Sequence, residues 1–105
     1  MLERAMAFTL RQLQYFVAVA EQGTVSRAAQ NLSISQSAVT EAIKELEGDL
    51  GVELFERHPR GMVLTAAGDI LLAHARRAEL DAQRALEDIG ALQGLRAGQV
   101  RLATS

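Results

Sequence analysis

The chain has no cysteine, one proline, two histidines, one tyrosine and three phenylalanines among its 105 residues. Without cysteine there can be no disulfide, thiol nucleophile or thiolate metal site. So few prolines and aromatics favour a mostly helical fold. The histidines, His58 and His74, stand apart and neither has clustered carboxylates beside it. The parts for acid–base or metal chemistry are therefore lacking, and no catalytic residue, cofactor or metal is expected. No apolar run approaches the length of a membrane span. The N-terminus, Met1 to Ala7, has neither the basic start nor the apolar centre of a secretory signal. A soluble cytoplasmic protein is the default expectation. At 49% hydrophobic residues, the chain can build the core of one domain with a small appendage.

Excess positive charge is also missing. The formal net charge is −2, whereas a basic balance is the usual footprint of nucleic-acid binding. Between Phe8 and Gly61, Arg11, Arg27, Lys44, Arg57 and Arg60 stand against Glu21, Glu41, Glu45, Glu47, Asp49, Glu53 and Glu56. Any binding of nucleic acid would require these charges to be sorted in space, with bases on one face and acids on another.

The pattern along the chain is clear. Thr9 is placed to cap a helix running to about Gln22 and ended by Gly23. Leu10, Leu13, Phe16, Val17 and Ala20 recur at helical spacing and predict its buried stripe. Thr24 caps a short helix through Leu32 with Ala28, Ala29 and Leu32 inward, and the small alanines allow a close helix crossing. Ser33-Ile34-Ser35 makes a turn, with Ile34 turned to the core and Ser35 as the next cap. A third helix follows, from about Gln36 to Leu50, stopped by Gly51. Val39, Ile43, Leu46 and Leu50 form its apolar face, and Gln36, Ser37, Thr40, Glu41 and Lys44 its wet one. Two short helices so joined read as a helix-turn-helix, whose second helix presents its N-terminal residues to base edges in the DNA major groove.

Glu53 to Arg57 and Met62 to Thr65 are short extended runs around a turn with Pro59 and Gly61, the pattern of a β-hairpin. Directly after a helix-turn-helix, such a hairpin is a wing. Its tip carries Arg57, His58 and Arg60, suited to phosphates or a narrow minor groove; His58 is expected to be solvent-exposed. Thr65 caps a last helix reaching about Gln93 or Gly94. Leu71, Ala75, Ala78, Ala82, Ala85, Ile89 and Leu92 alternate steps of four and three along it, a heptad seam. The seam could pack on the chain's own helices, but the helix is too long for that alone, so a homodimer is expected. Gly98 to Ser105 then reads as an alternating extended run, the opening strand of a further domain. The expected fold is thus mainly α with a small β-hairpin. Residues 1–8 form a flexible extension, 9–65 a winged helix-turn-helix, 66–94 a long dimerisation or linker helix, and 95–105 a hinge and the start of an effector-binding domain.

An ordered series of segments resembles the N-terminal region of LysR-type transcriptional regulators over nearly the whole chain. They are Leu10 to Glu21, Arg27-Ala28-Ala29, Ser35 to Thr40, Ile43 to Glu47, Leu50 to Arg57 and Leu64 to Gly68. The resemblance implies base-reading positions at Gln36, Ser37, Thr40 and Glu41, wing contacts at Arg57 and Arg60, and phosphate contacts around Thr24, Ser26, Arg27, Ser35 and Lys44. It further implies an antiparallel pairing of linker helices, an inverted-repeat operator, and a C-terminal domain that binds a small-molecule effector. A tetramer is expected only in a full-length protein, and RNA polymerase is a candidate partner. Ser37 departs from the proline common in the family, and Glu41 from the arginine or other phosphate- or base-compatible side chain common there; a carboxylate at that position either accepts from cytosine N4 or is repelled by the backbone.

Side-chain chemistry agrees independently. Gln36 can pair bidentately with adenine, and Thr40 offers a methyl to thymine. Thr24 and Ser35 are explained equally well by helix capping and by phosphate contact, which are compatible. A different reading, a winged helix that binds only other proteins, draws on the acidic balance and is separated from the first by sequence-selective, salt-dependent DNA binding.

Overall fold

The computed structural model describes the backbone of residues 8–104 and the side chains of residues 8–94. Its elements are α1 (Leu10–Gln22), α2 (Val25–Leu32), α3 (Gln36–Leu50), β1 (Phe55–His58), β2 (Gly61–Leu64) and α4 (Ala66–Thr104). Each helix boundary has a local chemical cause. Thr9 and Gln12 cap α1 reciprocally: the Thr9 hydroxyl accepts from the Gln12 N–H at 3.2 Å, and Gln12 Oε1 accepts from the Thr9 N–H at 2.9 Å. Thr24 and Ser35 accept from the N–H groups of Arg27 and Ala38, each at 3.1 Å. Gly23 ends α1 in the left-handed region at φ 83°, where a Cβ would be strained.

Helix α1 sits at the centre and packs against α2, α3, α4 and β2. Phe16, Val19, Val39, Leu46 and Leu54 are fully buried. The Phe16 and Phe55 rings meet at 5.2 Å and 48°, joining α1 to the wing. Burial of a side chain such as Phe16 contributes roughly 1.5–3 kcal/mol. The expected stripe on α1 needs one correction. Leu10, its first member, is 41% exposed, while Val19 and Ala18 are buried instead, because a helix ringed by four neighbours buries more than one face. Phe8, assigned to the N-terminal extension, packs against the core; residues 1–7 lie outside the described residues.

The hairpin is antiparallel, with Phe55 opposite Leu64 and His58 opposite Gly61. Its turn is therefore Pro59-Arg60, and His58 ends a strand where the tip was expected. The wing is held at three points. The Met62 N–H donates to Gly23 O at 2.8 Å and the Thr65 N–H to Leu54 O at 3.0 Å. The Leu54 N–H donates to the Glu47 carboxylate at 2.7 Å. Gly61 lies so close to the α1–α2 turn that a Cβ on it would overlap Gly23 O.

Helix α4 starts at the Thr65 cap, whose hydroxyl accepts from the Gly68 N–H at 3.0 Å. It comprises 39 residues, roughly 58 Å at 1.5 Å per residue, and sets the longest dimension of the molecule, 60 Å. This corrects the expected end near Gly94 and the expected extended run beyond Gly98, since the helix continues through Thr104. Glycine in a helix costs only about 0.5–1 kcal/mol relative to alanine. A strand without a neighbour leaves its backbone groups unpaired, whereas a helix pairs them locally.

Candidate nucleic-acid interface

Helix α3 turns Val39, Ala42, Ile43 and Leu46 into the core, which leaves Gln36, Ser37, Thr40, Glu41 and Lys44 to line a shallow surface concavity. A second concavity lies between the start of α3 and the wing. It is lined by Thr24, Gln36, Thr40, Arg57, His58, Pro59, Arg60 and Gly61, among others. Gln36 and Thr40 belong to both, so they form a ridge between the outer flank of α3 and the wing. Ser37 and Glu41 lie on the flank away from the wing. The structure thus brings every residue expected to read bases, and the three wing residues, onto one continuous surface.

Charge on this surface is only partly sorted, because Glu41 shares its concavity with Lys44. Arg27, Lys44, Arg57 and Arg60 are exposed and make no ion pair with a carboxylate among the described residues. Several acids are engaged elsewhere. Glu45 accepts from Gln12 Nε2 at 3.2 Å, Glu47 holds the Leu54 N–H, and Glu21 meets Arg76 at 3.5 Å. His58 lies 3.7 Å from Glu56, a contact that is ionic only with the imidazole protonated. The Thr24 and Ser35 hydroxyl oxygens act as caps, and each O–H remains able to donate. Ser26 is exposed beside them.

Sequence reasoning missed two positioning residues. Gln12 links the cap of α1 to Glu45 on α3, and Glu47 ties the end of α3 to the wing. Neither bond leaves a periodic signal, because both join residues through folding rather than through spacing. The heptad seam needs a correction. Ala75 is 1% exposed and belongs to the core, with Leu71 and Ala78 packed against it, so the first part of the seam faces α1 in the same chain. Ala85, Ile89 and Leu92 are exposed, and Ala82 is half-buried. Leu86, outside the expected seam, is 73% exposed. Leu10, Gln14, Glu79, Ala82, Gln83 and Leu86 line a groove between α1 and α4. Burial, and then the neighbouring Glu21 carboxylate, hold the Glu79 carboxyl above the usual carboxylate range.

A helix-turn-helix, a two-stranded wing packed on its first helix, and a long helix leaving from the wing define the winged helix-turn-helix class. The chain belongs to the lysR family of bacterial regulatory helix-turn-helix proteins, whose pattern it matches over residues 10–69. It is 47% identical over 94 residues to an "SDS degradation transcriptional activation protein" of a Pseudomonas species, covering 89% of this chain and 30% of that protein. Among solved structures, the DNA complex of the CbnR DNA-binding domain superposes with a TM-score of 0.75 at 46% identity, over 80% of this chain and 97% of that one. The complex of the BenM DNA-binding domain with its catB site 1 DNA does so with a TM-score of 0.78 at 30% identity, over 81% and 96%. The chain spans 30% to 34% of the length of curated relatives that match most of it.

Proposed function

We propose that this chain is the sequence-reading part of a bacterial transcription regulator that binds duplex DNA as a homodimer. The observation that carries the reading is the continuous surface of α3 and wing. It holds three exposed basic side chains, Lys44, Arg57 and Arg60, unclaimed by described carboxylates, on a fold matching DNA-bound relatives at up to 48% identity. In this reading Gln36, Ser37, Thr40 and Glu41 enter the major groove. Arg57, His58 and Arg60 flank it on the backbone or minor groove. Thr24, Ser26, Arg27, Ser35 and Lys44 hold phosphates, which sets position without reading sequence. A dimer presents two such helices to half-sites one helical turn apart, or a multiple of it, so the operator is an inverted repeat.

The exposed stretch of α4 from Gln83 to Gly94, with Ala85, Ile89 and Leu92 and the half-buried Ala82 beside it, supplies the dimer contact. The unit that reads DNA covers residues 9–65, and the linker begins at residue 66. The protein acts in the cytoplasm on the chromosome and performs no catalysis of its own. The remainder of a longer protein, of the kind its relatives have, would carry the small-molecule effector site and the contacts for a tetramer. RNA polymerase is the partner such a regulator would address.

The test is selection from random duplex DNA with the wild-type chain and Gln36→Ala. The expected result is an inverted repeat whose consensus relaxes at one position per half-site in the variant. Failure of the folded wild-type chain to enrich any sequence at low salt would overturn the reading in favour of a protein-binding winged helix.

A further inference from the structure

Glu41 is an acid on the reading face whose carboxylate has no partner among the described residues. Glu45, Glu47, Glu21 and Glu56 each meet a named partner. Glu41 is exposed and makes no hydrogen bond or ion pair among the described residues, even with Lys44 three positions along the same helix. It lines the same concavity as Gln36, Ser37 and Thr40, one turn beyond Ser37 and on the flank away from the wing. A carboxylate there points at a polyanion. It weakens binding to every sequence unless the base edge before it supplies a donor.

The major groove offers few donors. Guanine presents two acceptors, N7 and O6, and thymine an acceptor and a methyl. Adenine presents a donor, N6, directly beside the acceptor N7, which repels a carboxylate. Cytosine alone presents an amino donor, N4, with no acceptor beside it on its own edge. Glutamate also lacks the donor with which glutamine completes a pair to adenine.

We infer that Glu41 makes this protein a selective reader of cytosine, its carboxylate accepting a hydrogen bond from N4 of one cytosine in each half-site. The inference rests on the recognition-helix reading proposed above and deepens it. The same charge that accepts from N4 rejects the other three bases, so specificity is gained at the expense of general affinity. Removing it should therefore strengthen non-specific binding while weakening discrimination.

The experiment compares selections from random duplex DNA with the wild-type chain, Glu41→Ala and Glu41→Gln at one salt concentration, followed by direct titration of the selected site and its single-base changes. The wild-type repeat should hold cytosine at one position in each half-site. Changing that base should weaken wild-type binding on the order of tenfold. In Glu41→Ala the penalty should vanish while binding to unrelated duplex DNA tightens. In Glu41→Gln the preference should relax or move to adenine. A wild-type repeat that lacks such a cytosine, or the same cytosine kept by both variants, overturns the assignment and leaves the winged-helix reading standing. No enrichment by the wild-type chain overturns both. Because Glu41 is exposed and bonds to nothing described, circular dichroism should show both variants folded as the wild type.

Discussion

Gly48 and Gly68 are both helical, yet their surroundings are opposite. A Cβ at Gly48 would meet nothing within 4 Å, whereas one at Gly68 would overlap the carbonyl oxygen of Leu54 and crowd Leu64. The first glycine carries only the entropy penalty of its type, and the second is the means by which α4 approaches the segment entering the wing. Gly48→Ala should accordingly raise stability by about 0.5–1 kcal/mol, and Gly68→Ala should lower it by roughly 1–3 kcal/mol, both measured by urea unfolding. Equal effects would mean that the contact at Gly68 yields without cost. At this scale the sequence was most legible where the chemistry is local. Thr9, Thr24, Ser35, Thr65, Gly23 and Gly51 each sit at the helix end expected of them, since a cap needs only its own next turn. Glu47 and Gln12 were not legible, because their partners lie across the fold.

Among the elements, α4 shows how one periodic stripe can serve two surfaces. The four-three spacing from Leu71 to Leu92 was readable, but not the point where it leaves the chain's own core. That point depends on how far α1 reaches along α4. Glu79 marks it: the carboxyl lies beside the groove between the two helices, half-buried and close to Glu21, which itself faces Arg76. Its raised pKa means the folded state favours the protonated form. Between the ordinary carboxylate pKa and the raised one, folding takes up a proton, and stability falls as pH rises through that window. Glu79→Gln should raise the melting temperature slightly at neutral pH and leave it unchanged in acid below the ordinary carboxylate pKa. A gain of equal size at both pH values would assign the effect to packing. The hairpin was legible in kind but misplaced by a residue or two, since strand limits follow pairing register, which composition does not encode.

For the molecule as a whole, the stretch of α4 from Gln83 to Gly94 has no cover among the described residues. Leu86, Ile89 and Leu92 are between 55% and 73% exposed, along a stripe continuous with the groove at Leu10. On the dimer reading, Ile89→Asp should shift the chain to monomer in analytical ultracentrifugation while its circular dichroism stays helical. Its affinity for an inverted repeat should then fall toward that for a single half-site. A variant that still sediments as a dimer would place the contact elsewhere. The fold class was legible at this scale because six elements in a fixed order leave few ways to bury one core. The length of α4 was not, because glycine and an alternating run imitate an ending without enforcing one.

A rod of this length is also a lever. A tilt of about five degrees at the far end of a helix of roughly 58 Å carries the other end through about 5 Å, more than the ~3.4 Å that one base pair advances along the duplex axis. The wing is fastened to the root of that rod through Leu54, whose carbonyl accepts from the Thr65 N–H and lies against Gly68, so it would travel with the motion instead of absorbing it. A displacement too small to disturb any contact where it originates would therefore, on the proposed reading, shift Arg57 and Arg60 by more than one base-pair step along the duplex.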